Sequence, residues 1–269
     1  SKWAQLRNQF RPQALTAEND AVLEEVIHSM LRARPTTRDA ATGRAAVSSA
    51  HPIATAAGVE ILEAGGNVID AAVAVSFALG VVEPDASGLG GYGQMVAYLT
   101  DLEAPVVIEF LTRAPQEATL ENAALNNATG PMLANVPGVV RGMELAFDKY
   151  GSGQIEWARL IEPAIRAATE GFVLDDAFTT TLAHERARYG PWDSSMELFF
   201  PNGEPLKAGD LFKNPDLGWT LKEIAEGGGD AFYGGEVARR IVEDLRGQGN
   251  AMTMNDMARY FAVERHPVV

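Results

Sequence analysis

The first candidates for chemistry are Gly88, Gly90 and Gly93, which form a literal G-x-G-x-x-G. In a dinucleotide site that pattern follows a strand and opens a helix, so that phosphate meets a helix N-terminus. Here the order is inverted, with a helical pattern before the glycines and a strand pattern after them. The loop reads instead as a tight turn where backbone passes close to backbone, or as a run of N–H groups lining an active site. The four histidines, His28, His51, His184 and His266, have no partners at ligand spacing, and no H-E-x-x-H occurs. No metal and no cofactor are therefore expected. His51 precedes Pro52, which favours extended backbone, and reads as a hydrogen-bonded histidine at a strand end. There is no G-x-S-x-G nucleophile elbow. With no cysteine, a thiol nucleophile, a thiolate metal site and a disulfide are all excluded. Ser1 could use its own α-amine as base, but such a nucleophile heads a core strand. SKWAQLRNQFRP does not alternate as a core strand would, and Pro12 interrupts it. Asn127-Ala128-Thr129 is a formal glycosylation triplet that matters only in a eukaryotic secretory setting.

The elements that would position these residues follow from periodicity and from helix stop and start signals. Residues 16–34 suit an amphipathic helix, with Leu15, Val22, Val26 and Met30 near helical spacing. A basic, polar stretch follows over residues 32–44, so residues 1–44 read as an N-terminal helical arm and linker. Small and apolar residues predict a helix over 53–64, ended by Gly65-Gly66. Asn67 can cap the next helix, with Asp70 as its reciprocal partner. That helix is apolar nearly all round, so it should be buried between layers, and Glu83-Pro84 stop it. QMVAYLT from Gln94 and VVIEF from Val106 read as strands joined by the turn-like DLEAP. Further helices are predicted from Pro137-Gly138 to Tyr150, and over about 155–170, where Pro163 should kink the helix or shift its start. PNGEP (residues 201–205) is a turn, and helices are predicted over about 217–226 and 236–246. Two helices, two strands and then mostly helices indicate an α+β layered fold rather than alternating βαβ units.

Bulk properties narrow the function. The chain has 269 residues, 46% hydrophobic and 22% charged, which is enough to bury a sizeable core. A formal net charge of −14 repels phosphate backbones and anionic membrane surfaces, so neither nucleic acid nor membrane is an expected partner. The longest apolar run, AAVAVSFALGVV, is shorter than the roughly 20 residues a bilayer requires. The opening SKWAQLRNQFRPQ is polar and carries no signal segment. A cytoplasmic location is expected, with a periplasmic or secreted protein whose leader has been removed as the alternative.

Longer blocks carry a more specific message. HPIATAAGVEILEAGGNVIDAAVAVSFALGVVEPDASGLGGYGQM (residues 51–95) resembles the large-subunit signature of the γ-glutamyltransferase family. VPGVVRGMELAFDKYG (136–151), WARLIEPAIRAATEGFVL (157–174) and FFPNGEPLKAGDLFKNPDLGWTLKEIAEGGGDAFYGGEVARRIVEDL (199–245) are similar to the segments that follow it. MTMNDMARYFAVERHPV (252–268) resembles the lead-in to later large-subunit strands. The resemblance covers residues 45–269 in order, as one large-subunit domain. It implies a four-layer αββα N-terminal-nucleophile hydrolase fold, in which two antiparallel sheets lie between helix layers. It also implies a precursor that cuts itself into a large and a small subunit. The new N-terminal threonine of the small subunit then attacks a γ-glutamyl carbonyl, and the acyl group passes to water or an amine. The expected partners are that small subunit and a small-molecule γ-glutamyl or related amide substrate, with a larger oligomer left open.

Two departures from the family pattern stand out. The sequence stops at Val269, before the family's self-cleavage point, so no catalytic residue is assigned in this chain. The family's carboxylate-clamping arginine opens an R-E-x-A-P type segment, whereas this chain has EFLTRAP (109–115). Leu111 holds the family position, and the arginine stands two residues later, at Arg113. Residues two apart on extended chain face one side, so Arg113 is the substrate-binding candidate. The competing reading pairs Arg113 with Glu109 or Glu117 as an ordinary ion pair. At the level of the whole protein, the alternatives are a related acylase of different acyl specificity, such as the cephalosporin acylases, or a catalytically silent binding or scaffold homologue.

Overall fold

A computed structural model of the chain describes residues 43–119 and 130–267. Most of the expected N-terminal arm, together with Ser1, His28 and the glycosylation triplet, lies outside those residues. The described chain forms two compact units, one of residues 43–172 with 213–267 and one of residues 173–212. No helix among the described residues is long and apolar enough to cross a membrane.

In the larger unit α1 (Pro52–Glu63) and α2 (Val68–Val82) are an antiparallel pair. The His51 backbone is extended, as expected, but it caps a helix rather than ending a strand. Its Nδ1 accepts from the Ile53 N–H at 3.2 Å. Between the helices, Gly65 takes φ +97, and the Gly65 and Gly66 N–H groups donate to the Leu62 and Ile61 carbonyls at 3.1 and 3.0 Å. This is a Schellman closure, and it satisfies carbonyls that the helix leaves over. The predicted capping box then opens α2: the Asn67 side chain accepts from the Asp70 N–H at 3.0 Å, and Asp70 accepts from the Asn67 N–H at 2.9 Å. Helix α2 ends at Val82, before Glu83-Pro84. It is covered by α1, by α3 (Val139–Tyr150) and by α4 (Trp157–Glu170). Val73, Ala74, Phe77 and Ala78 are all fully buried. Burying a side chain such as Phe77 contributes about 1.5–3 kcal/mol.

Strands β1 (Gly93–Ala97) and β2 (Val106–Phe110) form the predicted hairpin, with Met95 opposite Ile108. The inner face, with Ala97, Ile108 and Phe110, is buried. Helix α3 can lie this close to β2 because of two glycines. A Cβ on Gly138 would fall 2.0 Å from the Phe110 carbonyl oxygen, and one on Gly142 would fall 2.3 Å from the Phe110 ring.

Helix α4 runs without interruption through the buried Pro163, so the proline neither shifts the start beyond Trp157 nor ends the helix. The Trp157 indole N–H donates to the Ile224 carbonyl at 2.9 Å.

The smaller unit is bounded by two short strands, β3 (Phe172–Val173) and β4 (Leu211–Phe212). It holds three short helices, α5 (Asp176–His184), α6 (Arg186–Tyr189) and α7 (Asp193–Phe199), which local patterning did not reveal. Its interior is aromatic, with Phe199 stacked on Phe212 at 5.6 Å. The PNGEP turn is present, with Asn202 at φ 59.

Helix α8 (Pro215–Gly234) is longer than the predicted 217–226. Gly228 breaks it with φ 62 and ψ −155 rather than ending it, and the chain turns helical again to bury Phe232 and Tyr233. After α9 (Glu236–Gly247) and α10 (Met254–Ala258), a third strand, β5 (Val263–Arg265), pairs antiparallel with β2 and gives the order β1-β2-β5.

Candidate active site

Arg113 stands on the extended chain that leaves β2. Its backbone pairs with Val136: the Arg113 N–H donates to the Val136 carbonyl at 3.3 Å, and the Val136 N–H donates back at 2.9 Å. Leu111 and Arg113 are both exposed. The guanidinium carbon of Arg113 lies 3.8 Å from the centroid of the Phe261 ring and 5.4 Å from that of Tyr260. Nη2 donates to the Phe261 carbonyl at 3.3 Å. A cation over an aromatic face is held by the ring quadrupole.

The competing ion pair is not formed. Glu109 accepts from Arg265 at 3.0 Å, and that bond holds its carboxyl below the usual range. Glu117 meets Arg246 at 3.5 Å. Among the described residues, no carboxylate pairs with Arg113.

Two bonds pin the main chain on either side of Arg113. The Tyr260 hydroxyl donates to the Leu111 carbonyl at 2.8 Å. The Gln116 N–H donates to Asp256 Oδ1 at 3.0 Å. Asp256 also caps α10, accepting from the Thr253 N–H at 2.9 Å and the Thr253 hydroxyl at 2.6 Å. Burial pushes the Asp256 carboxyl up, and the bonds from Thr253 and Gln116 outweigh it, so the group sits below its ordinary range. Tyr260 stacks at 5.4 Å on Tyr233, whose hydroxyl donates to the Pro137 carbonyl at 2.8 Å. Burial holds both phenols protonated above their ordinary values.

The glycine loop lies across residues 136–138 from this segment. The Gly91 carbonyl accepts from the Gly138 and Val139 N–H groups at 2.8 and 3.3 Å, so it occupies the N–H groups of the N-cap and first residue of α3. Helix α2 precedes the loop and β1 follows it, the reverse of a dinucleotide fingerprint. Both remaining readings of the loop have a basis. A Cβ on Gly93 would crowd the Phe110 ring at 3.0 Å, whereas Gly88 and Gly90 face open space. They border a cavity of about 760 Å³ lined also by Ser76, Asp85, Ser87 and Gln94.

Sequence reasoning selected Arg113 but missed Asp256, Tyr260 and Phe261. The aromatic pair Tyr260-Phe261 is visible in the sequence, but nothing local ties it to a residue 148 positions away.

Comparison with known proteins agrees with this architecture. Residues 54–269 match the family model described as Gamma-glutamyltranspeptidase. The glutathione hydrolase proenzyme of Escherichia coli (strain K12) is 36% identical over 231 residues, covering 82% of this chain and 39% of that protein. The chain thus spans about two-fifths of the length of that curated relative. The crystal structure of Helicobacter pylori gamma-glutamyltranspeptidase superposes with a TM-score of 0.81 at 37% identity, over 86% of this chain and 68% of that one. Cephalosporin acylase from Bacillus halodurans gives 0.77 at 26% identity, over 87% and 47%. The α+β fold is therefore that of the N-terminal-nucleophile hydrolases. A family model matched across four-fifths of the sequence, and a shared fold at more than a third identity, establish that the chain belongs to the gamma-glutamyltranspeptidase family.

Proposed function

We propose that this chain is the large-subunit part of a self-processing γ-glutamyltransferase-like amidohydrolase or acyltransferase. Its nucleophile is the N-terminal threonine of a separate small subunit. The threonine hydroxyl attacks the γ-glutamyl carbonyl with its own α-amine as base, and the acyl-enzyme passes to water or an acceptor amine. The substrate is a small-molecule γ-glutamyl amide. Arg113 holds its carboxylate, for which a guanidinium fork is the matching donor.

The observation that carries this reading is the outer face of the β1-β2-β5 sheet. Val96 on that face is 69% exposed beside the polar group of Gln94, Glu109 and Arg265, and Tyr92, Tyr98, Leu111 and Phe261, close to the strand ends, are also exposed, with Arg113 beside Phe261. Exposed apolar side chains in this number suit a covering layer. A second sheet from the small subunit would bury it and bring a nucleophile toward Arg113. The test is an intact mass and N-terminal sequence of every chain in the purified, full-length protein, together with a γ-glutamyl anilide assay. A companion chain beginning with threonine and release of the anilide are expected. An unprocessed, inactive precursor would sink the reading.

A second reading is favoured by Leu111, which the family resemblance places where an arginine would stand. On this reading the enzyme is an acylase of a different acyl specificity, and the likeness to a cephalosporin acylase supports it. Hydrolysis of an uncharged acyl anilide in preference to the γ-glutamyl one would select it.

A further inference from the structure

We infer that Phe261 is a positioning residue for Arg113: its ring and carbonyl hold the guanidinium at one place beyond the end of β2, ready for a carboxylate. The inference rests on the reading of Arg113 as the substrate-binding arginine.

An exposed arginine samples many rotamers, and a ligand that needs one of them bears the ordering cost. At Arg113 that ordering exists before any ligand arrives. The main chain is pinned ahead of it by the Tyr260 hydroxyl on the Leu111 carbonyl, 2.8 Å, and behind it by Asp256 on the Gln116 N–H, 3.0 Å. Pairing with Val136 fixes the residue itself. The side chain is then caught by Phe261 twice, through the ring at 3.8 Å and through the carbonyl at 3.3 Å. All of these partners except Val136 come from one short stretch, residues 256–261. The support is stiff, because Tyr260 stacks at 5.4 Å on Tyr233, which is buried.

Phe261 contributes little to the core. It is 56% exposed, so its ring is not placed there for burial. Its closest described aromatic-face partner is the Arg113 cation. The Phe261 carbonyl takes one donor of Nη2, and a guanidinium carries five N–H donors, so others of the fork remain for a carboxylate.

The test uses the full-length, matured enzyme with a γ-glutamyl anilide as probe, and compares Phe261→Ala, Phe261→Leu, Phe261→Tyr, Arg113→Ala and the double variant Arg113→Ala/Phe261→Ala. Removing the aromatic face should raise KM about three- to tenfold in both Phe261→Ala and Phe261→Leu, with kcat within about twofold. Phe261→Tyr keeps the face and should behave as the parent. Against an Arg113→Ala background, Phe261→Ala should add nothing, because the ring has no cation left to hold. Phe261→Leu keeps the apolar bulk and carries the test if the alanine variant fails to fold. An unchanged KM in Phe261→Leu beside a raised KM in Arg113→Ala overturns the positioning role and leaves the reading of Arg113 intact. So does an equal effect of Phe261→Ala with and without Arg113. An unchanged KM in Arg113→Ala instead removes the reading of Arg113, and this inference with it.

Discussion

Gly142 of α3 lies directly against the ring of Phe110 on β2, so that a Cβ would come within 2.3–2.7 Å of three Phe110 side-chain atoms. The close packing of α3 on β2 thus depends on a missing side chain. Gly142→Ala should gain helix propensity, about 1 kcal/mol, yet lose more by forcing α3 off the sheet. Overpacking of this kind costs about 1–3 kcal/mol, so net destabilisation is expected. Urea unfolding measures it, and a variant as stable as the parent would show that the layer yields more easily than the geometry implies.

The capping box at the head of α2 does more than close a helix. Asn67 Nδ2 also donates to the Tyr150 carbonyl at 2.8 Å, and Asp70 accepts from the Ser152 N–H at 3.1 Å. The start of α2 is therefore tied to the end of α3, next to the buried core. Asn67→Ala should lower stability by about 1–2 kcal/mol, since loss of the cap alone accounts for about 1. The expected signature is a lower urea midpoint with an unchanged slope.

These two sites mark what the sequence could and could not reveal. The Asn67–Asp70 box, Gly65-Gly66 and Glu83-Pro84 are local signals, and each end of α2 followed from them. The β1–β2 hairpin was likewise local. Strand β5 was not: Val263–Arg265 is too short to announce itself and is a strand because β2 offers it an edge. The helix predicted over about 217–226 runs on past Gly228, because burial of Phe232 and Tyr233 carries it on. For the candidate site, the sequence and the family resemblance singled out Arg113. What surrounds it was hidden, because Asp256, Tyr260 and Phe261 reach it only through the fold.

Asp256 makes stability pH-dependent in a definite direction. Its folded pKa lies below the unfolded value, which is about 3.9 for an aspartate. The unfolded chain therefore takes up the proton first as pH falls. The contribution is fully present above the unfolded value and is lost as pH drops through the lower folded one. Urea midpoints of the parent should fall from about pH 4 downward more steeply than those of Asp256→Asn. At neutral pH the variant should already be weaker by about 1–3 kcal/mol, because one amide oxygen cannot serve Thr253 and Gln116 together. Parallel acid limbs in the two proteins would mean that other carboxyls set the slope.

Leu111 and Arg113 together offer a way to tell the two enzyme readings apart. If Arg113 holds the substrate carboxylate, Arg113→Ala should raise KM for a γ-glutamyl anilide about tenfold or more, as loss of a charge-assisted bond does. Arg113→Lys should recover only part, since an ammonium lacks the fork and does not lie over Phe261 in the same way. Leu111→Arg adds a second cation two residues away on the same extended chain. In that case it should change KM little or raise it, because two guanidinium groups at one carboxylate repel. If the site takes an uncharged acyl group instead, Arg113→Ala should be nearly silent. Leu111→Arg should then depress cleavage of the uncharged acyl anilide and create γ-glutamyl activity. Steady-state assays of the three single variants on both anilides separate the cases, because the sign of the Leu111→Arg effect on the γ-glutamyl probe differs between them.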